Sequence, residues 1–209
     1  MARYTGPVCK LCRREGMKLN LKGERCTTIK CSFDRRGYAP GQHGQNRRFK
    51  QSNFGIQLRE KQKIRRSYGL MEKQFRNTYK KASAEKGVTG EQLLVHLESR
   101  LDTIVYRLGL APSLSSARQL VNHGHFRVNG RKVDIPSYLM KPGDKVQVRE
   151  NSRKLDIIHQ AMQRIRDDSS VPYLSLDKAK MEGEYIAFPK REEIPVVARE
   201  QYVVELYSR

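Results

Sequence analysis

Apolar side chains recur every three or four positions over much of the first 120 residues, a period that predicts amphipathic helices. One helix is predicted to begin after Ser52, which can act as its N-cap, and to run to about residue 68. A second is predicted over 71–86, and the clearest one over 89–108. The chain before residue 35 has little hydrophobic period, so it cannot build a core by itself.

A further short helix is predicted, with Ser113 or Ser115 as its N-cap. After it, the spacing of apolar residues changes from every three or four positions to every second position. The dipeptide Asn129-Gly130 predicts a tight hairpin turn, because both positions tolerate positive φ. Residues 152–166 again have one apolar side and predict a helix. Short strands are predicted around 173–176, 185–188 and 202–207.

These elements together predict an α+β fold with a mostly helical N-terminal part. We expect a four-cysteine metal knuckle with a basic extended loop over 1–50 and a helical subdomain over 51–98. Helices plus an antiparallel hairpin would form a module over 99–162. Short strands over 163–209 would pack on the other parts.

Charge shows where a partner would bind. Lys and Arg number 42 against 22 Asp and Glu, so the net charge is +20 and the sequence pI about 10.1. Residues 1–98 carry +15, residues 99–150 carry +5 and the remainder is neutral. Such a field favours a polyanion, which we expect to bind the first 150 residues.

The sequence has neither a stretch of eighteen apolar residues nor a signal peptide at its start, so we expect a cytosolic protein without a membrane partner. Its cysteines would then stay reduced, and their spacing is interpreted as metal chemistry. Two short-spaced pairs fit a closed structural Zn²⁺ site. An iron–sulfur cluster and four ordinary thiols are the alternatives. The four candidate ligands are Cys9, Cys12, Cys26 and Cys31.

A polar and cationic band covers the short helix and the hairpin, where it could follow an RNA backbone. A solvated surface is the alternative, and the histidines without nearby carboxylates do not favour catalysis. The candidate RNA-binding residues of this band are Ser115, Ser116, Arg118, Gln119, Asn122, His123, His125, Arg127, Asn129, Arg131 and Lys132.

A second group of candidates lies in the strongly cationic N-terminal half, where an excess of +15 predicts bound phosphate rather than a solvated helix face. In the predicted helix after Ser52 they are Arg59, Lys61, Lys63, Arg65 and Arg66. In the knuckle, the loop and the second helix they are Arg13, Arg14, Arg35, Arg36, His43, Arg47, Arg48, Lys50 and Arg76.

Enzyme signatures are missing from the sequence. It has no phosphate-binding Gly-x-x-x-x-Gly-Lys-Ser/Thr loop, no Gly-x-Ser-x-Gly elbow and no His-Glu-x-x-His metal motif. We therefore predict no catalytic residue and no small-molecule substrate.

Specific stretches resemble the family of bacterial small-subunit ribosomal protein four over nearly the whole chain. The matching stretches are 1–7, 38–44, 58–63, 72–76, 97–102, 117–125, 134–138 and 205–209. The cysteines make the chain similar to the metal-binding form of that family, and residues 99–162 resemble its small RNA-binding module.

The resemblance implies a ribosomal structural protein that binds 16S rRNA early, nucleates assembly of the subunit body and contributes to translational accuracy. It also implies contact with small-subunit ribosomal protein five and with other small-subunit proteins near the messenger entry channel. The same module occurs in RNA-modifying enzymes, so such an enzyme, or an unattached RNA-binding regulator, is the alternative function.

Overall fold

Helices make up the first part of the chain, and strands alternate with helices after residue 125. The structure is a computed structural model that describes residues 4–46, 51–164 and 171–208. The chain divides into two compact units. Unit 1 consists of Met1–Leu93 together with Val196–Arg209, and unit 2 of Leu94–Pro195.

Unit 1 is helical. The predicted N-cap is confirmed, because Ser52 Oγ accepts a hydrogen bond from the N–H of Gly55 (3.2 Å) at the start of the longest helix described in this unit. Single 3₁₀ turns lie at Gly23–Cys26 and Gln42–Gln45. The helices are α1 (Cys9–Glu15), α2 (Ser32–Arg35), α3 (Asn53–Ser67), α4 (Glu72–Ala84), the start of α5 (Thr89–Glu98) and α9 (Glu200–Tyr207).

The strand predicted over 202–207 is wrong, because these residues form the helix α9. Paired valines and flanking tyrosines favour a strand locally, but packing against α3 decides the conformation. Val203 is fully buried, and Gln57 of α3 donates a hydrogen bond to Glu205 Oε2 (2.7 Å). The Tyr207 hydroxyl donates to Glu72 Oε1 (2.9 Å), which ties α9 to α4 as well.

Unit 2 combines helices with one sheet. The helix predicted over 89–108 is interrupted, because the N–H of Leu101 donates to Tyr138 O (2.9 Å) and the N–H of Met140 donates to Ser99 O (2.8 Å). A loop distant in sequence thus takes the hydrogen bonds that a continuous helix would need. After α5 the helices of unit 2 are α6 (Leu101–Arg107), α7 (Leu114–Asn122) and α8 (Asp156–Gln163).

The sheet of unit 2 is antiparallel, with the strand order β2-β1-β3-β5-β4. The Asn129-Gly130 turn is confirmed, with φ of 49° and 79°. The strand predicted at 185–188 is displaced, because β5 ends at Tyr185. The strands are β1 (Phe126–Val128), β2 (Arg131–Lys132), β3 (Lys145–Val148), β4 (Leu174–Asp177) and β5 (Glu182–Tyr185).

One face of this sheet packs on the helices of unit 2 and forms its core. Phe126 and Val148 point into it and are almost completely buried, together with Ile104 of α6, Val121 of α7 and Ile158 of α8. The α+β class is therefore confirmed. Within the described residues, no helix has both the length and the apolar composition of a membrane span.

The sequence segment 163–209 is shared between the units, since β4 and β5 belong to unit 2 and α9 to unit 1. The predicted helix over 152–166 is observed in part, as a 3₁₀ turn at Glu150–Ser152 followed by α8. Its last two residues lie outside the described part of the chain.

Candidate nucleic-acid interface

The outer side of α7 is polar and exposed, as the sequence predicts. Ser113 starts the helix, because its Oγ accepts a hydrogen bond from the N–H of Ser116 (3.3 Å). Since Ala117 and Val121 are fully buried in the core, the opposite side faces solvent. The exposed side chains there are Ser115, Gln119, Asn122 and His123, with Ser116 half-buried beside them.

The β1–β2 hairpin continues unit 2 directly after α7 and carries cations. Its turn is held by Asn129, whose Nδ2 donates to Asp144 Oδ1 (2.7 Å) and whose Oδ1 accepts from the N–H of Lys145 (2.9 Å). Arg127 lies opposite Lys132 in the ladder, and Arg131 is exposed at the turn. The hairpin thus presents cations and hydrogen-bond donors on a fixed backbone, the chemistry that binds phosphate.

The outer face of the sheet changes sign from one end to the other. Along one cross-strand row, Lys132, Arg127 and Gln147 are followed by Glu182 and Asp177. Because neighbouring strands lie about 4.8 Å apart, positive and negative ends are separated by only a few strand spacings. The β2–β1 end therefore suits a polyanion and the β5–β4 end does not.

Arg118, one of the candidate RNA-binding residues, is buried. Its side chain is only 7% exposed and lies against the carboxylate of Asp102, at 2.8 Å from Nε and 2.7 Å from Nη2. Arg100 binds the same carboxylate through Nε (3.0 Å) and Nη2 (2.9 Å). Asp102 is completely buried, so this cluster holds α6 to α7 inside unit 2.

His125 is half-buried and has a structural contact, since its Nδ1 lies 2.9 Å from Ser152 Oγ. Burial lowers its pKa below the ordinary value of 6.5, and His123 and Arg149 act in the same direction. The His123 ring lies 6.0 Å away and is exposed. His125 is therefore suited to hydrogen bonding as a neutral ring, and His123 is the more accessible of the two.

The basic run of α3 is not the open cationic face that the sequence analysis expected. Every one of its five predicted residues has a carboxylate partner within unit 1, and their side chains are between 10% and 26% exposed. Neighbouring helices pack against α3, and its cations form ion pairs with carboxylates of unit 1. The pairs are Arg59 and Arg66 with Glu15, Lys61 and Arg65 with Glu72, and Lys63 with Glu60.

Helix α4 carries an exposed cationic stripe of which the sequence analysis singled out only Arg76. Lys73 and Lys80 lie on the same side, three residues before it and four after it, and all three are exposed. Phe75 and Ala82 are buried, and their positions on the helix would have predicted that Lys73, Arg76 and Lys80 face solvent. The local excess of charge is thus located on α4 rather than on α3.

The four cysteines lie in unit 1, two of them buried and two half-buried. The N–H of Lys22 donates to Cys26 Sγ (3.4 Å). Burial raises the pKa of the Cys12 thiol; the N–H of Leu19 lowers it, and the charges of the other three cysteines raise it further. Among residues 4–46, 51–164 and 171–208, no group of Cys, His, Asp or Glu side chains has the arrangement of a metal site.

The remaining N-terminal candidates lie around the cysteines. Arg13 donates from Nε to Tyr38 O (3.0 Å), whereas Arg14, Arg35, Arg36 and His43 are exposed. The candidates Arg47, Arg48 and Lys50 lie outside the described residues.

The amino-acid sequence is similar to those of known proteins over its whole length. A family model described as ribosomal protein S4/S9 N-terminal domain matches residues 3–98, and one described as S4 domain matches 99–146. A "small ribosomal subunit protein uS4" of Thermus thermophilus is 54% identical over 209 residues, and those of Thermoanaerobacter sp. and Syntrophobacter fumaroxidans are 56% identical over 210 and 209 residues. Each alignment covers 100% of both proteins. The chain therefore belongs to the small ribosomal subunit protein uS4 family.

Proposed function

We propose that the protein is a structural, non-catalytic constituent of the small ribosomal subunit in the cytoplasm and that it binds 16S rRNA directly. The observation that carries this proposal is the exposed polar side of α7 followed by the cationic β1–β2 hairpin, both of which a core of apolar residues holds in place. The relatives support the ribosomal part, since their names state it.

RNA contact would divide between two kinds of side chain on this surface. Arg127, Arg131 and Lys132 would neutralise phosphates, which supplies affinity and salt dependence. Gln119 and Asn122 would hydrogen-bond to phosphate oxygens and 2′-hydroxyls, which fixes the register on the RNA. The acidic β5–β4 end of the same sheet face would lie outside the RNA contact.

The roles in the assembled subunit are part of the same proposal. They are primary binding to 16S rRNA, nucleation of the subunit body, a contribution to translational accuracy, and contact with small-subunit ribosomal protein five and other proteins near the messenger entry channel. Family membership supports them.

We also propose that Cys9, Cys12, Cys26 and Cys31 hold Zn²⁺, with an iron–sulfur cluster as the alternative. The residue types support this proposal, because thiols in two short-spaced pairs are the donors that a structural Zn²⁺ site uses. The ion would supply folding energy to a segment that has few apolar side chains.

A chemical footprint of the full-length chain on naked 16S rRNA tests the RNA proposal. We expect protection confined to one multi-helix region at moderate ionic strength; general or absent protection would contradict specific primary binding.

Sedimentation at high salt separates the ribosomal role from that of a regulator or modifying enzyme. The ribosomal role requires stoichiometric residence in small subunits, and a mainly unattached pool would refute it.

A further inference from the structure

A small cationic cavity lies between α1 and α2 in unit 1. Its volume is about 230 Å³, and four of its lining side chains are basic while none is acidic. Pro7, Cys9 and Ser32 also line it. The four cations are Lys10, Arg13, Arg35 and Arg36. We call it the α1–α2 cavity.

Three of these cations have no internal counter-charge. Lys10, Arg35 and Arg36 are exposed, and no carboxylate in the described part of the chain forms an ion pair with them. The fourth, Arg13, is fixed by its bond to Tyr38 O (3.0 Å) and by stacking over the Tyr38 ring at 4.9 Å.

The cations of the α1–α2 cavity differ in this respect from those of α3. Every candidate cation of α3 faces a carboxylate, and a neighbouring cavity that shares Arg35 includes Glu24 beside Arg25. An anion bound in the α1–α2 cavity would be attracted by all four of its cations. Guanidinium groups favour phosphate, whose oxygens accept paired hydrogen bonds.

We propose that the α1–α2 cavity binds a single phosphate group of an RNA strand, with Arg35 and Arg36 as its main donors and Ser32 as a further one. This inference rests on the proposed RNA-binding function and deepens it, because it assigns several side chains to one shared phosphate rather than to separate contacts. The assignment to one shared phosphate follows from the four cations lining the same cavity.

The salt dependence of binding to a 16S rRNA transcript tests the shared site in the full-length protein. The variants are Arg35→Gln, Arg36→Gln and the double variant, with Arg25→Gln as a matched control on the neighbouring cavity. We expect the double variant to lower the magnitude of the log–log slope by about 0.7–0.9, the value of one phosphate. The control should leave the slope unchanged.

Three results would overturn the proposal. The first is a slope change of about twice that size in the double variant, because it would mean two separate phosphate contacts. The second is an unchanged slope in the double variant. The third is an equal slope change in Arg25→Gln. If the wild-type chain fails to bind the transcript, the proposed function fails instead. Amide spectra of the variants check that the fold is retained.

Inorganic phosphate tests the cavity without RNA. Added to the full-length chain at constant ionic strength, it should shift the Ser32 amide resonance saturably, whereas chloride should not. The double variant should lose the shift. The absence of a saturable phosphate-specific shift in the wild type would reject the cavity as a phosphate site, whatever the RNA measurement shows.

Discussion

The guanidinium of Arg118 contacts the completely buried carboxylate of Asp102 through two nitrogens, at 2.7 and 2.8 Å. Arg100 holds the same carboxylate, so two cations share one anion inside unit 2. A residue that the sequence assigns to the RNA surface is therefore part of the internal support of that surface. Its loss should act first on stability.

Replacing Asp102 by Asn should lower the free energy of unfolding by about 3–5 kcal/mol, because it leaves two nearly buried guanidinium groups without their charge partner. Urea denaturation followed by circular dichroism measures this. Asp134→Asn is the matched control: Asp134 pairs with Lys132 on the surface, where both side chains are more than half exposed, so we expect less than about 1 kcal/mol. Equal effects in both variants would contradict a supporting role for the cluster.

Replacing Arg131 by Gln should weaken binding to 16S rRNA and lower the magnitude of the log–log salt slope by about 0.9 or less, with little change in stability. Arg131 is exposed at the hairpin turn and needs no internal partner to keep the fold. Lys180→Gln, an exposed cation at the acidic end of the sheet, should leave the slope unchanged. An unaltered slope in Arg131→Gln would remove the hairpin from the interface.

Removing the proposed metal with a chelator should expose the segment around the cysteines to protease while α3 to α9 stay resistant. Metal-binding energy would be folding energy for a segment with so few buried apolar residues. Metal analysis should give one Zn²⁺ per chain, and Cys31→Ser should reduce it. Unchanged proteolysis after chelation would argue against a structural ion, and iron with inorganic sulfide in the analysis would favour the cluster instead.

Stability should fall as the pH decreases below about 6.5. The folded state lowers the pKa of His125, so the unfolded chain takes up a proton first as the pH decreases. Stability associated with the neutral ring is therefore present above pH 6.5 and is lost as the pH falls through the folded pKa. Urea titrations from pH 8 to 5 should show this decline, and His125→Gln should reduce it. An identical pH profile in that variant would refute the assignment.

Removing the charges of the half-buried Glu182 and Glu184 by substitution with Gln should increase affinity for non-cognate RNA about two- to fivefold, equivalent to roughly 0.4–1 kcal/mol. Both lie on the β5 strand beside the cationic half of the sheet. Glu192→Gln, at the Arg191–Glu193 turn, is the control and should have no effect. Unchanged non-cognate binding would show that the acidic end does not repel RNA.

Local signals in the sequence determined much of this protein. The hydroxyl of Ser52 and the glycine at position 130 are sufficient to predict where a helix starts and where a hairpin turns, because their effects act within a few residues. The exposed side of α7 follows from its period. The excess of cations indicates a polyanionic partner before any fold is known.

Only the tertiary structure decided which cations face outward. Glu15 is distant in sequence from Arg59 and Arg66, yet its fully buried carboxylate pairs with both, so no local pattern reveals that α3 is neutralised in part. The helical state of α9 and the break after α5 likewise depend on partners far along the chain, Glu72 and Tyr138. Sequence sets propensity and total charge, whereas long-range packing decides which charges and hydrogen bonds are satisfied internally.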